Sequence, residues 1–227
     1  MSMPVSESNS PSDLVVFLDL DNTLIFTEIS DIHHSDDDKE ESAAGEEDVL
    51  LSYKSKSDKD GICNKVVVYK RPHLDLFLQQ VSRRYASVHI FTASQKEYAD
   101  TVLNLLDPTG TIFSKRFYRD SCRGPYDDPR KGILSLAGVE VDPNRFVHVD
   151  DNCFCMMDHP CNGIVVSGFN KESLGKGDKV LLKVLELLEE LDGHQDVRPY
   201  LEKKFEMPFC KMMLEDLGTR IGATPIE

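Results

Sequence analysis

Leu14–Leu24 reads LVVFLDLDNTL. Its first seven residues, Leu14 to Leu20, form a near-continuous apolar run of strand length, as expected of a parallel strand covered on both faces. The run delivers Asp19 and Asp21, two carboxylates at i and i+2, where a buried strand ends. That placement is costly unless something compensates the charge.

Working outward, Lys65–Tyr69 (KVVVY) reads as a second strand. Pro72 then opens a helix whose apolar positions Leu74, Phe77, Leu78, Val81 and Tyr85 keep helical spacing. Ser87–Phe91 is a strand, and Ser94 is placed to cap a helix over Gln95–Leu106 with Tyr98, Val102 and Leu105 on one face. Phe113–Tyr118, Arg145–Asp150 and Gly163–Val166 read as strands, and Arg130–Leu136, Asp178–Leu191 and Pro199–Phe205 as helices. Strands alternating with helices predict an α/β domain with a mostly parallel central sheet flanked by helices. Ligands of such sheets sit outside the carboxyl ends of the strands. At those ends the sequence supplies Asp19 and Asp21, Thr92 and the pair Asp150–Asp151, and the short helix read from Arg130 opens with Lys131.

Four carboxylates on one rim repel one another, and a hard divalent cation relieves that conflict. Oxygen-only ligands select Mg²⁺ over zinc or copper. The set then suggests phosphoryl transfer. One aspartate attacks phosphorus, the other protonates the leaving oxygen and later deprotonates water, and the cation, Lys131 and Thr92 hold the equatorial oxygens.

At these residues the sequence resembles the haloacid dehalogenase superfamily. More closely it is similar to the small phosphatases of the RNA polymerase II C-terminal-domain phosphatase family, the NLI-interacting-factor-like phosphatases. The resemblance rests on LDLDNTL (Leu18–Leu24), YKRPHLDLFL (Tyr69–Leu78), FTAS (Phe91–Ser94), EYAD (Glu97–Asp100), FYRDSC (Phe117–Cys122), Lys131, VDDN (Val149–Asn152) and NGI (Asn162–Ile164). These fall in family order from about Ser12 to Phe205. The resemblance implies a Rossmann-like fold, with Asp19 as nucleophile and Asp21 as general acid/base. It implies Thr92 and Lys131 as phosphate ligands, Lys131 also balancing charge, and Asp19, the Asp21 carbonyl and Asp151 as Mg²⁺ ligands. Arg119 and Tyr98 match family positions near the substrate pocket. Small-phosphatase relatives often carry Asp-Asn where Asp150–Asp151 stands; shifting to Asp151–Asn152 restores that pair, but counting back from NGI keeps the Asp-Asp frame. Asn22, where many relatives carry Glu, is expected to point away and matter little.

Superfamily members acting on small metabolites usually carry a folded cap. Only 68 residues separate Thr23 from Thr92, and 38 separate Thr92 from Lys131. No large cap domain is expected, and an open rim favours a phosphoserine or phosphothreonine on a flexible protein segment. The RNA polymerase II C-terminal tail is one candidate. Two other readings keep the same fold: a catalytically silent scaffold or receptor, and a small-metabolite phosphatase.

The chain has 227 residues and a net charge of −14, half of it between Asp31 and Asp60, where eleven acidic residues face four lysines. The stretch is poor in apolar residues and is expected to be a flexible surface insertion. Lys115–Lys131, by contrast, carries a local +3 suited to an anionic ligand. The expected organisation is a flexible tail over 1–12, a catalytic domain over 13–206 interrupted by the acidic insertion at about 31–60, and a C-terminal extension over 207–227. Net acidity argues against direct nucleic-acid binding or anionic membranes. No apolar run approaches the roughly 20 residues of a membrane span. With neither a secretory signal nor an excess of cysteine, reduced thiols and a nuclear or cytoplasmic protein are expected. Cys153, Cys155, His159 and Cys161 pack four possible zinc ligands into nine residues, but their spacing is unlike the usual two-plus-two knuckle and favours free thiols.

Overall fold

The computed structural model describes residues 11–31, 49–56, 63–125 and 128–204. The strand anticipated at Leu14 is β1 (Ser12–Leu18), the central member of a five-stranded sheet. With β5 (Tyr85–Phe91), β6 (Lys115–Phe117), β7 (Phe146–Asp150) and β8 (Gly163–Val165), the order is β6-β5-β1-β7-β8 and every pairing is parallel. Strand alternation sends Leu14, Val16 and Leu18 to one face and Phe17 to the other, all fully buried. Burial on both faces is why the run lacks polar interruptions.

The helices α1 (Leu74–Arg84), α2 (Lys96–Leu106), α3 (Val180–Asp192) and α4 (Arg198–Lys204) all join the apolar cluster built on Leu14, Val16 and Leu18. Around Phe17 the second cluster gathers Phe91, Ile133 and Phe146, with Leu136, Val139 and Val141 of the β6–β7 connection against it. Right-handed crossovers explain this arrangement. The chain runs from β1 through α1 to β5 and through α2 to β6 in one direction, then returns across the opposite face to reach β7.

Several elements differ from expectation. Val49–Lys56, inside the expected flexible insertion, is a strand (β3), and Ile25–Asp31 is another (β2). Both pair antiparallel with β4 (Cys63–Lys70), in the order β2-β4-β3. The strand read at Lys65–Tyr69 thus belongs to this small second sheet. Its buried residues Val67 and Tyr69 pack with Phe169 and Leu174, and Phe26 and Val49 lie against them. Backbone pairing to β4 and the packing of Val49, Leu50 and Leu51 against the core explain how Val49–Lys56, polar in its second half, holds strand geometry. The remainder of the expected insertion, 32–48 and 57–60, lies outside the described residues, as do residues 1–10 of the expected N-terminal tail, the last residues 205–206 of the expected domain and the whole expected extension 207–227.

The helix expected from Pro72 begins at Leu74, because His73 adopts φ 68 and ends the preceding turn. The helix expected over Arg130–Leu136 is a single 3₁₀ turn, Ile133–Ser135, so Lys131 precedes it. Leu105 is 46% exposed, and α2 instead buries Ala99, Val102, Leu103 and Leu106. Among the described residues no helix is long and apolar enough to cross a membrane.

Candidate active site

The carboxyl ends of β1, β5 and β7 bring Asp19, Thr92, Asp150 and Asp151 to one rim. Asp19 follows β1 directly, and its N–H donates to the Val149 carbonyl at 2.9 Å, which locks the strand end of β1 against β7. Asp19, Asp150 and Asp151 each offer an oxygen within 4.8 Å of the others. Like charges at that distance repel by about 3 kcal/mol at an effective dielectric near 20.

Lys131 compensates part of this charge. Its Nζ, 1% exposed, donates to Asp19 Oδ1 and to Asp150 Oδ2, each at 2.6 Å. Burial alone would lower the pKa of this ammonium group, but Asp150 and Asp19 outweigh burial and hold it above the ordinary lysine value. Burial would likewise raise the Asp150 carboxyl; Lys131 overrides it, with His148 adding, and brings Asp150 down to about 2. His148 Nε2 lies 3.2 Å from Asp150 Oδ2. Asp19 remains well above the usual carboxylate range because burial dominates and Asp150 and Asp151 reinforce it against the pull of Lys131. Asp151 is pushed up to about 6, by burial first and Asp150 second.

One lysine therefore serves three carboxylates. Two excess negative charges in a buried oxygen-donor cluster fit a divalent cation. Asp151 is also pre-positioned. Its N–H donates to Thr23 Oγ1 at 3.0 Å, and Thr23 Oγ1 donates to Asp151 Oδ1 at 3.4 Å. A Cβ on Gly168 would sit 3.3 Å from Asp151 Oδ2, so only a glycine lets the chain pass this close without pressing on the carboxylate.

Asp21 faces the other side of the rim. Its Oδ1 accepts from Tyr98 Oη at 2.7 Å and its Oδ2 from Ser94 Oγ at 2.6 Å, with Thr92 Oγ1 at 3.5 Å. Tyr98 also meets Thr27 Oγ1 of β2 at 2.6 Å, so the small sheet braces the general-acid candidate. Burial, then Asp21, raise the Tyr98 phenol above its ordinary pKa, keeping it a donor. Thr92 is buried, and its Oγ1 accepts the Ser94 N–H at 3.0 Å. Arg119 is tied to the loop that carries Ser94: its backbone N–H donates to the Ser94 carbonyl at 3.0 Å and its Nη2 to the Pro125 carbonyl at 2.6 Å.

The structure thus brings Asp19, Asp21, Thr92, Lys131 and Asp151 together, as the sequence suggested. Tyr98 meets Asp21 directly, and Arg119 braces the loop behind Ser94. Sequence reasoning gave Ser94 the role of a helix cap. The N-cap is Gln95, which makes no side-chain cap bond, and Ser94 holds Asp21. It also missed Thr23, Asp150's bridge to Lys131, and Arg71. Arg71, 1% exposed, donates from Nη1 to the Thr23 carbonyl at 3.1 Å, from Nη2 to the Ser167 carbonyl at 2.8 Å and from Nε to Asp178 Oδ2 at 3.0 Å. Asn22, expected to matter little, carries φ 59, and its carbonyl accepts the Phe169 N–H at 2.6 Å. Asparagine tolerates the left-handed backbone, and that residue type was the available signal. No three of Cys153, Cys155, His159 and Cys161 converge as ligands, and the cysteines among them form no disulfide.

Residues 14–198 match the family model described as NLI interacting factor-like phosphatase. A CTD nuclear envelope phosphatase 1B of Danio rerio is 32% identical over 203 residues, covering 88% of this chain and 76% of the relative. The human carboxy-terminal domain RNA polymerase II polypeptide A small phosphatase 1 is 29% identical, over 88% of this chain and 68% of its own length. A probable C-terminal domain small phosphatase of Dictyostelium discoideum is 30% identical over 82% of this chain, which spans about half (53%) of that relative. Among solved structures, that of Fcp1, an essential RNA polymerase II CTD phosphatase, superposes with a TM-score of 0.52 at 24% identity, over 94% of this chain and 56% of the other. That likeness gives the haloacid dehalogenase fold.

Proposed function

The chain belongs to the NLI interacting factor-like phosphatase family, and from that premise we propose that it is a Mg²⁺-dependent protein phosphatase acting on phosphoserine and phosphothreonine. The observation that carries this reading is the buried Asp19–Lys131–Asp150 bridge beside Asp151 and opposite an independently held Asp21.

Asp19, Asp151 and the backbone carbonyl of Asp21 would hold Mg²⁺, which supplies charge neutralisation for the phosphoryl oxygens and keeps Asp19 and Asp151 ionised. In the first step an Asp19 carboxylate oxygen forms a bond to phosphorus as the ester P–O bond breaks. Asp21 gives its proton to the departing serine or threonine oxygen. Tyr98 and Ser94 aim that carboxyl group. In the second step Asp21 takes a proton from water, whose oxygen bonds to phosphorus as the acyl-phosphate P–O bond of Asp19 breaks, releasing inorganic phosphate. Lys131 and the Thr92 hydroxyl serve the equatorial oxygens through both steps. Lys131 needs no proton exchange, since its two carboxylate neighbours keep it charged.

A protein substrate is supported by the small size of what the described residues build between Thr23 and Thr92: a three-stranded sheet, one helix and the central-sheet strand β5. The RNA polymerase II C-terminal tail is the first substrate to try, given the relatives' names. With Mg²⁺, phosphoserine peptides are expected to be hydrolysed with a kcat/KM at least about tenfold above that for small sugar and nucleotide phosphates. The reverse order would replace the protein-phosphatase reading with a metabolite phosphatase.

A further inference from the structure

β7 is buried on both faces, and Phe146, Val147 and Val149 fill it with apolar side chains; His148, 1% exposed, is the exception before the carboxylates begin. It pairs in register with Phe17 of β1, which puts the imidazole on the face where Phe17, Phe91 and Phe146 cluster. Phe91 stacks on the ring, with centroids 6.5 Å apart and planes at 24°. Two residues on, strand alternation returns Asp150 to the same face. There His148 Nε2 lies 3.2 Å from Asp150 Oδ2, off the line of a full hydrogen bond, and has no other polar partner among the described residues. Burying a polar nitrogen in this state costs free energy that an aliphatic side chain would not. Packing alone does not explain a histidine here.

The Asp150 carboxylate accepts the Asn152 N–H on Oδ1 at 2.8 Å and Lys131 Nζ on Oδ2 at 2.6 Å. Lys131 divides its donors between this Oδ2 and Asp19 Oδ1, and its Nζ stands 5.9 Å from the centroid of the same Phe91 ring. His148 and Lys131 therefore converge on one carboxylate oxygen beside one aromatic ring. An ammonium group has three N–H donors. With two committed to carboxylates, the third serves a phosphoryl oxygen against the pull of a buried, ionised Asp150. Burial holds the imidazole below its ordinary pKa, against the opposite pull of Asp150, so at neutral pH the ring has a single N–H to give.

We infer that His148 is a positioning residue: its Nε2–H is a second donor to Asp150 Oδ2, which loosens the hold of Asp150 on Lys131 and frees ammonium charge for the phosphoryl oxygens. The inference rests on the phosphatase reading and adds to it a residue that acts through Asp150 and Lys131 rather than on the substrate. A small turn of the ring aligns the N–H as Lys131 leans toward phosphate, so Asp150 stays compensated while charge builds on the transferring group. The contribution belongs to the transition state, and its loss falls on kcat rather than on KM.

The test compares wild type, His148→Leu and His148→Gln as full chains, with Mg²⁺ and an aryl phosphate. Leucine nearly keeps the volume and removes the donor, whereas the glutamine amide offers an N–H close to where Nε2 stands. His148→Leu is expected to fold and to lose about fivefold or more in kcat at a KM within about twofold of wild type, and His148→Gln to recover most of that loss. Unchanged kcat in folded His148→Leu overturns the role, and so does a loss confined to KM. Equal losses in the two variants overturn it as well, because they trace the effect to ring shape. A second measurement needs no apolar variant: nitrogen NMR of histidine-labelled protein, with the His148 signals identified by their absence from His148→Gln. Nε2 is expected to carry the proton; a bare Nε2 facing the carboxylate overturns the inference whatever the kinetics. No aryl phosphate turnover by folded wild type with Mg²⁺ refutes the phosphatase reading itself, and the nitrogen signals still decide whether His148 donates to Asp150.

Discussion

Asp151 carries a carboxyl group that burial, then Asp150, lift from 3.8 to about 6. A raised acid binds its proton more tightly in the folded state. Its stabilisation, about 3 kcal/mol, is therefore complete below pH 3.8 and fades as pH rises through about 6. Mg²⁺ requires the ionised form, so protons compete with metal below that pH. The apparent Mg²⁺ affinity, measured by calorimetry, is expected to be level above about pH 7 and to weaken about tenfold or more by pH 5; a flat profile would remove Asp151 from the metal site. Asn22, two residues before the buried Leu24, has a different burden, a left-handed backbone at φ 59. Asn22→Val is expected to cost about 1–2 kcal/mol in urea unfolding and Asn22→Gly much less, whereas equal losses would trace the cost to the side chain.

The element that holds the site together is the loop at the end of β4, through Arg71. Its guanidinium ties the turn after β1, the loop after β8 and the start of α3. Because Thr23 in turn positions Asp151, Arg71→Ala is expected to lower stability by about 3 kcal/mol, the cost of stranding Asp178, whose side chain is 9% exposed, and of leaving the Thr23 and Ser167 carbonyls without their donor. Arg71→Lys is expected to recover only part, since one ammonium cannot reproduce the fork. Full recovery by lysine would reduce the tie to simple charge pairing. Elements with an apolar period were legible in the sequence: β1, β5, β7, α1 and α3 all lie where the hydrophobic pattern placed them, within a few residues. β2 and β3 were not. Ile25–Asp31 and Val49–Lys56 are mostly polar on one face, and what makes them strands is long-range pairing with β4, which local pattern does not encode. Ser94 shows the same limit at a strand end. A serine before a helix reads as a cap, and only the tertiary structure turns its hydroxyl to Asp21.

At the scale of the molecule, an all-parallel sheet gathers residues distant in sequence at one edge, with Asp19 and Lys131 112 positions apart in one hydrogen bond. The carboxylates, the threonine and the lysine were legible because strand ends in such sheets are where ligands sit. Their partnership was not: which aspartate Lys131 bridges, and that Arg71 lies behind them, depend on packing between elements. All of these features serve one claim, that Asp19 is the nucleophile of a metal-dependent phosphatase. The direct measurement is hydrolysis of an aryl phosphate by wild-type and Asp19→Asn protein, each with Mg²⁺ and with EDTA, at mildly acidic to neutral pH. The expected result is turnover by wild type that EDTA removes and that the folded Asp19→Asn protein lacks by at least about a thousandfold. Turnover retained by Asp19→Asn, or none from folded, Mg²⁺-loaded wild type, would contradict it.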